Sequence, residues 1–153
     1  MAQIGIQKPN NNNIITIKTF FMAFKATLKM GGKEFDILHC NYAFRRDVDN
    51  KGRPSSIIYG GTVQVVIEST EDTSLLESMV NNIYKAQNGS VIFKKSDEDA
   101  KMKELQFTDA YIVQYTESLD VTGRNPMSIS FTLSARTIKV SNAELVNDWP
   151  DKK

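Results

Sequence analysis

Residues 128–135 read Ser128-Ile129-Ser130-Phe131-Thr132-Leu133-Ser134-Ala135. Apolar residues occupy every second position, and a small hydroxyl residue fills each place between them. Successive side chains of a strand point to opposite faces. Period two sustained over this stretch therefore specifies a strand with one face in a core and the other polar or in contact. The same pattern recurs upstream. Phe24, Ala26, Leu28 and Met30 alternate with Lys25, Thr27 and Lys29. Gly31-Gly32 follows as a two-residue turn able to take positive φ. A second strand runs from about Lys33 to Phe44. Its apolar phase slips near Leu38, where a bulge or strong bend is expected. Gly60-Gly61 opens a third strand carrying Val63, Val65 and Ile67.

Further strands are expected over Ser90 to Lys95, Lys103 to Phe107 and Tyr111 to Glu117, with turns at Asn88-Gly89 and from Val121 to Pro126. A short C-terminal piece holds Trp149. One helix interrupts the strands. Thr70 to Ser74 is rich in caps and acids, and Ser74 with Glu77 fits a capping box. Leu75, Leu76, Met79, Val80 and Ile83 then share a face at helical spacing, best used to close one side of a β structure. Seven or eight short antiparallel strands with Gly and Pro turns imply a mainly β fold, either a sandwich or a closed barrel.

A length of 153 residues fits one domain with a core of its own. Lys and Arg number 19 against 18 Asp and Glu, so charge balance gives no argument for a nucleic-acid or membrane-surface partner. The single cysteine, Cys40, excludes an intramolecular disulfide. That suits folding in the cytoplasm and leaves export of the folded protein open. No apolar run is long enough to span a bilayer, and no Sec-type leader is expected at the N-terminus. Residues 1–21, dominated by Ile, Asn, Lys and Phe with the run Asn10 to Asn13, read as an extension outside the core.

Candidate chemistry is sparse. His39 is the only histidine, which rules out a multi-histidine metal site and weakens any nucleophile–histidine–acid triad. Cys40 is its neighbour, so on a strand the two point to opposite faces. Asp47-x-Asp49-x-Lys51-Gly52 resembles the opening of a calcium loop, but Ile58 stands where a bidentate Glu is required. Asp97, Glu98 and Asp99 are consecutive in a charged connection, with no partner at usable spacing for acid–base work. An enzyme using Asp97 or Asp99 is therefore disfavoured. No catalytic, metal-binding or cofactor-binding residue is assigned, and no cofactor is expected. A small-ligand barrel is a further alternative, which requires a closed apolar cavity.

The remaining feature is the connection 45–59, longer than an ordinary hairpin loop. It carries Arg45, Arg46, Asp47, Asp49, Lys51 and Arg53 and ends at Tyr59. Mixed charge on a β scaffold suits polar contact with a neighbouring subunit. Spacing alone does not separate that from a solvated excursion.

Several blocks together resemble one family. Ala23-Phe24-Lys25-Ala26-Thr27-Leu28 through Asp36-Ile37-Leu38-His39-Cys40, then Arg46-Asp47-Val48-Asp49-x-Lys51-Gly52-Arg53-Pro54, are similar to the Bacteroidetes-type Hcp (TssD) family. So are Ile67-Glu68-Ser69-Thr70-Glu71-Asp72-Thr73-Ser74, Val91-Ile92-Phe93-Lys94-Lys95 and Trp149-Pro150. The resemblance covers about residues 22–150, leaving 1–21 as an extension and 151–153 as a charged tail. It implies an antiparallel β-barrel with one flanking helix, like phage tail-tube proteins. It further implies a non-enzymatic type VI secretion tube subunit that forms homohexameric rings. The rings would stack inside a contractile sheath behind a spike, with effector proteins possible in the lumen. Assembly in the cytoplasm, then secretion without a signal peptide, follows from the same resemblance, with no nucleic acid and no membrane insertion. By position, the family's inter-subunit loop maps onto Arg45 to Tyr59.

Overall fold

The computed structural model describes residues 24–95, 99–123 and 127–151. The expected extension 1–21, Asp97 with Glu98, and the end of the turn at Pro126 lie outside these. The elements in chain order are β1 (Phe24–Met30), β2 (Lys33–Tyr42), β3 (Thr62–Glu68), α1 (Ser74–Val80), β4 (Gln87–Lys95), β5 (Lys101–Leu119), β6 (Met127–Val140) and β7 (Ala143–Val146).

Every strand pairing is antiparallel, and the order is β3-β2-β1-β4-β5-β6-β7. A further pairing of β3 with β6 closes the first six strands into a barrel, so the sandwich alternative falls. The alternating stretch Ser128 to Ala135 lies in β6, the closing strand. Along one edge of β6, Ser128 to Ser134 pair with β3 and Thr137 to Val140 pair with β7. At the handover the Ala135 amide donates to the Gly61 carbonyl at 2.8 Å. Asn147 Nδ2 donates to the carbonyls of Gly60 and Ala135 at 3.2 and 3.1 Å. Gly61 has φ +100, and a Cβ on it would lie 2.8 Å from the Ala135 oxygen. Only glycine fits that junction.

Closure is driven by burial of the alternating apolar set. Leu28, Val63, Val65, Val91, Leu105, Phe107, Phe131, Leu133 and Ile138 fill the interior. No polar or charged side chain is buried among the described residues. Each such aliphatic or aromatic side chain contributes roughly 1.5–3 kcal/mol on burial. Among the described residues these buried side chains occupy the interior, where a small-ligand barrel would hold its cavity.

The phase slip in β2 is a bulge. Ile37 pairs with Ile67 and His39 with Val66, which leaves Leu38 as the extra residue. Phe35 and Ile37 before it, and Cys40 and Tyr42 after it, all pack against the core while Leu38 is 48% exposed. The two segments expected at 103–107 and 111–117 are one long strand. A second bulge between Ile112 and Gln114 leaves Val113 unpaired, and Asp109 bends the backbone at φ 51. Asn88-Gly89 is no turn. Both residues lie within β4, where Asn88 Oδ1 accepts the Asp109 amide at 2.9 Å. A Cβ on Gly89 would overlap the Lys29 carbonyl oxygen. The glycine there allows close strand approach rather than reversal.

The capping box also fails. The helix starts at Ser74 with Thr73 as the cap residue and no side-chain bond from it. Asp72 does the work instead. Its Oδ1 accepts the Ser74 amide at 2.9 Å and its Oδ2 accepts Lys33 Nζ at 2.8 Å. The Lys33 hydrogen bond and the Ser74 amide hold the Asp72 carboxyl down at about 2. This ties the β1–β2 turn to the helix. The helix packs against β5 with Leu75 buried and Met79 partly so, but Val80 and Ile83 are exposed. The helix ends before the apolar spacing does. No helix among the described residues is long and apolar enough to cross a membrane.

Candidate assembly site

The connection between β2 and β3 is a two-stranded arm rather than an open loop. Arg45 and Tyr59 exchange both backbone hydrogen bonds, at 2.9 and 2.7 Å, and form its base. Farther out Val48 bridges Pro54, the Ser55 amide donates to the Asp47 carbonyl at 2.9 Å, and the Asp47 amide donates to Ser56 Oγ at 2.8 Å. The tip is organised by Asp49. Its Oδ1 accepts the amides of Lys51 and Arg53, each at 2.9 Å, and its Oδ2 accepts Arg53 Nε at 2.9 Å. These bonds, the Arg53 and Lys51 amides foremost, hold the Asp49 carboxyl below its ordinary range. Gly52 supplies the positive φ of +81 that the turn needs.

At the base the side chains converge as well. Arg45 Nη1 lies 2.9 Å from Asp47 Oδ1, and its guanidinium sits 4.6 Å from the Tyr59 ring centroid. Tyr59 donates its hydroxyl to Asp47 Oδ2 at 3.2 Å. Arg45, Asp47 and Tyr59 thus form one cluster, and Asp49, Lys51 and Arg53 form another at the tip. Arg46 belongs to neither. Its guanidinium reaches the Ser56 carbonyl across the arm at 3.3–3.4 Å. The sequence reading missed the apolar part of this surface. Val48 is 61% and Ile57 77% exposed on the arm, with Phe44 exposed beside its base. Their signal was present as β-branched residues set among charges. Exposed apolar side chains on an ordered arm mark it as a candidate contact surface.

Among the described residues, catalytic geometry does not assemble around the other candidates. His39 is on the exposed face of β2, while Cys40 packs against the core and burial pushes its thiol up to about 11. Burial of this kind disfavours the thiolate, the reactive form of cysteine. Asp99 pairs with Lys94 at 3.2 Å on the surface. Among the described residues no group of three or more His, Cys, Asp or Glu could hold a metal ion.

The family model described as hemolysin coregulated protein Hcp (TssD) matches residues 22–150. The chain belongs to the Hcp (TssD) family. Hcp1 from Flavobacterium johnsoniae superposes with a TM-score of 0.77 at 39% identity, over 80% of this chain and 99% of that one. Hcp1 from Salmonella typhimurium gives 0.64 at 13% identity, over 81% and 92% of the two chains, a likeness of fold alone. No protein of curated function matches the chain in sequence. As an Hcp, the chain is a tube subunit of a type VI secretion system, a secreted structural protein with the family's β-barrel and one helix.

Proposed function

We propose that this Hcp closes into homohexameric rings that stack into the inner tube, with the arm as its subunit contact. The observation that carries this is the arm itself. It is fixed by its own hydrogen bonds, yet it presents Val48 and Ile57 to solvent among charges of both signs. Arg45, Arg46, Asp47, Asp49, Lys51, Arg53 and Tyr59 are the residues assigned to the contact. Free sheet edges support head-to-tail closure. Among the described residues, neither β7 nor the stretch 39–42 of β2 has a strand partner on its outer edge. A near-neutral chain can also repeat many times without strong self-repulsion.

In this reading the subunit is no enzyme and needs no cofactor. Residues 22–150 are the assembling barrel, residues 1–21 an extension and 151–153 a charged tail. Sheath and spike proteins are its further partners, and effector proteins ride in the lumen. Assembly takes place in the cytoplasm and secretion needs no signal peptide.

Replacing Arg45, Arg46 and Arg53 together by Glu tests the assignment. Exposed ion pairs each contribute only about 0–1 kcal/mol, so folding stability should change little. Stacking, which repeats the contact around every ring, should be lost in negative-stain electron microscopy. Tubes of normal length at normal stability would remove the arm from the interface.

A further inference from the structure

The direction of the arm is a separate matter from its shape. Every hydrogen bond, ion pair and ring contact described for residues 45–59 has both partners inside that segment. These bonds fix the arm's shape. They do not fix its direction against the barrel. The chain returns from the arm to β3 through Gly60-Gly61, and Gly61 holds φ +100. Two consecutive glycines have the widest backbone freedom, which is the composition of a hinge.

The C-terminal segment grips this joint. Leu145 of β7 and Phe44 both close on Gly60, where a Cβ would lie 2.9 Å from Leu145 Cδ2 and 2.6 Å from Phe44 Cδ1. Leu145 also packs against the core. Asn147 Nδ2 donates to the carbonyls of both Gly60 and Ala135, and so ties the joint to β6. A Cβ on Gly61 would lie 2.5 Å from that same nitrogen. The segment is itself anchored beyond β7. The Asn147 amide donates to the Arg136 carbonyl at 2.7 Å, and Arg136 Nη1 donates to Asp151 at 2.9 Å. Trp149 packs beside Tyr111 with ring centroids 6.2 Å apart. The six-stranded barrel closes through β3 and β6 without β7.

We propose that residues 143–151 are a positioning strap for the arm. Leu145 and Asn147 lock the Gly60-Gly61 hinge and so set the direction in which the arm meets a neighbouring subunit. This rests on the arm being the subunit contact. With the hinge free, only the fraction of chains whose arm points correctly is competent, and the apparent affinity falls by that fraction. A strap that holds the arm in place before contact removes the loss. Asn147 is thus a positioning residue for assembly, although it lies outside the arm.

Single-molecule fluorescence energy transfer reads the arm's direction without assembly. Dyes are placed at Asn50→Cys, on the arm, and at Gln106→Cys, on β5, in a Cys40→Ala background of the full chain. Both sites are exposed. Molecules are read one at a time at picomolar concentration, with single subunits selected by brightness. The parent is expected to give one narrow transfer-efficiency peak. Asn147→Asp keeps the side-chain shape but replaces the donor by an acceptor, and should broaden or shift the peak. Asp148→Asn, at the neighbouring exposed position, should leave it unchanged. In the unlabelled chain, Asn147→Asp should raise the concentration needed for assembly by about tenfold or more, the effect of an arm that points correctly about a tenth of the time or less. Asn147→Ala takes its place if denaturant unfolding shows that Asn147→Asp does not fold. An unchanged narrow peak overturns the strap, even where assembly weakens. So does an equal change from Asp148→Asn. A broadened peak with unchanged assembly upholds the strap and removes the arm from the subunit contact.

Discussion

Phe131→Ala is expected to lower the free energy of unfolding by about 3–5 kcal/mol, the range for removing a buried aromatic ring. Phe131 is fully inaccessible and lies at the middle of the β6 segment, residues 128–134, that pairs with β3 to close the barrel. It stands opposite Val65 on β3 and Tyr115 on β5, so it belongs to both ladders at once. A closed barrel collapses poorly around a lost side chain, because its strands are tied on both edges. The cost should therefore fall in the upper part of the range. Denaturant unfolding monitored by circular dichroism measures it, with a lower midpoint and an unchanged slope. A loss below about 1 kcal/mol would mean that the interior repacks freely, contrary to a filled core.

The opposite result is expected at the arm. Arg45 and Tyr59 form a hydrogen-bonded antiparallel pair, which is the geometry that a two-residue Asn-Gly turn closes. Replacing residues 46–58 by Asn-Gly removes the arm and keeps its base. The barrel core has no residue in the deleted segment, so the unfolding midpoint should stay close to that of the full chain. Assembly should be abolished, with the protein running as a monomer in analytical ultracentrifugation. Full assembly without the arm would place the subunit contact elsewhere on the barrel. Joint loss of assembly and stability would mean that the arm also supports the fold.

Much of this is legible in the sequence, and the reasons are local. Alternation at Ala26, Leu28 and Met30, at Val63, Val65 and Ile67, and at Ile129 to Ala135 marks inward positions directly, because strand geometry has period two. The slip at Leu38 marked its bulge for the same reason. Alternation alone leaves closure open, and only the family resemblance implies it. It depends on Val63 to Ile67 meeting Ile129 to Leu133, segments far apart in sequence that alternation cannot match to one another. Asn88-Gly89 misled because the pair serves turns more often than close strand approach. The apolar spacing runs past the helix end, since Val80 and Ile83 keep it without packing on the barrel. At the arm, the charged residues were legible as a set. Its ribbon form was not, because it rests on two isolated bridges and on the Asp49 carboxylate rather than on a strand pattern. Val48 and Ile57 passed unnoticed among the charges for that reason.

Native mass spectrometry of the purified full chain over rising concentration tests the central claim most directly. The account predicts a dominant species at six times the 17.2 kDa subunit, which the arm replacement converts to monomer. A protein that stays monomeric across the whole concentration range, with its arm intact, would contradict it.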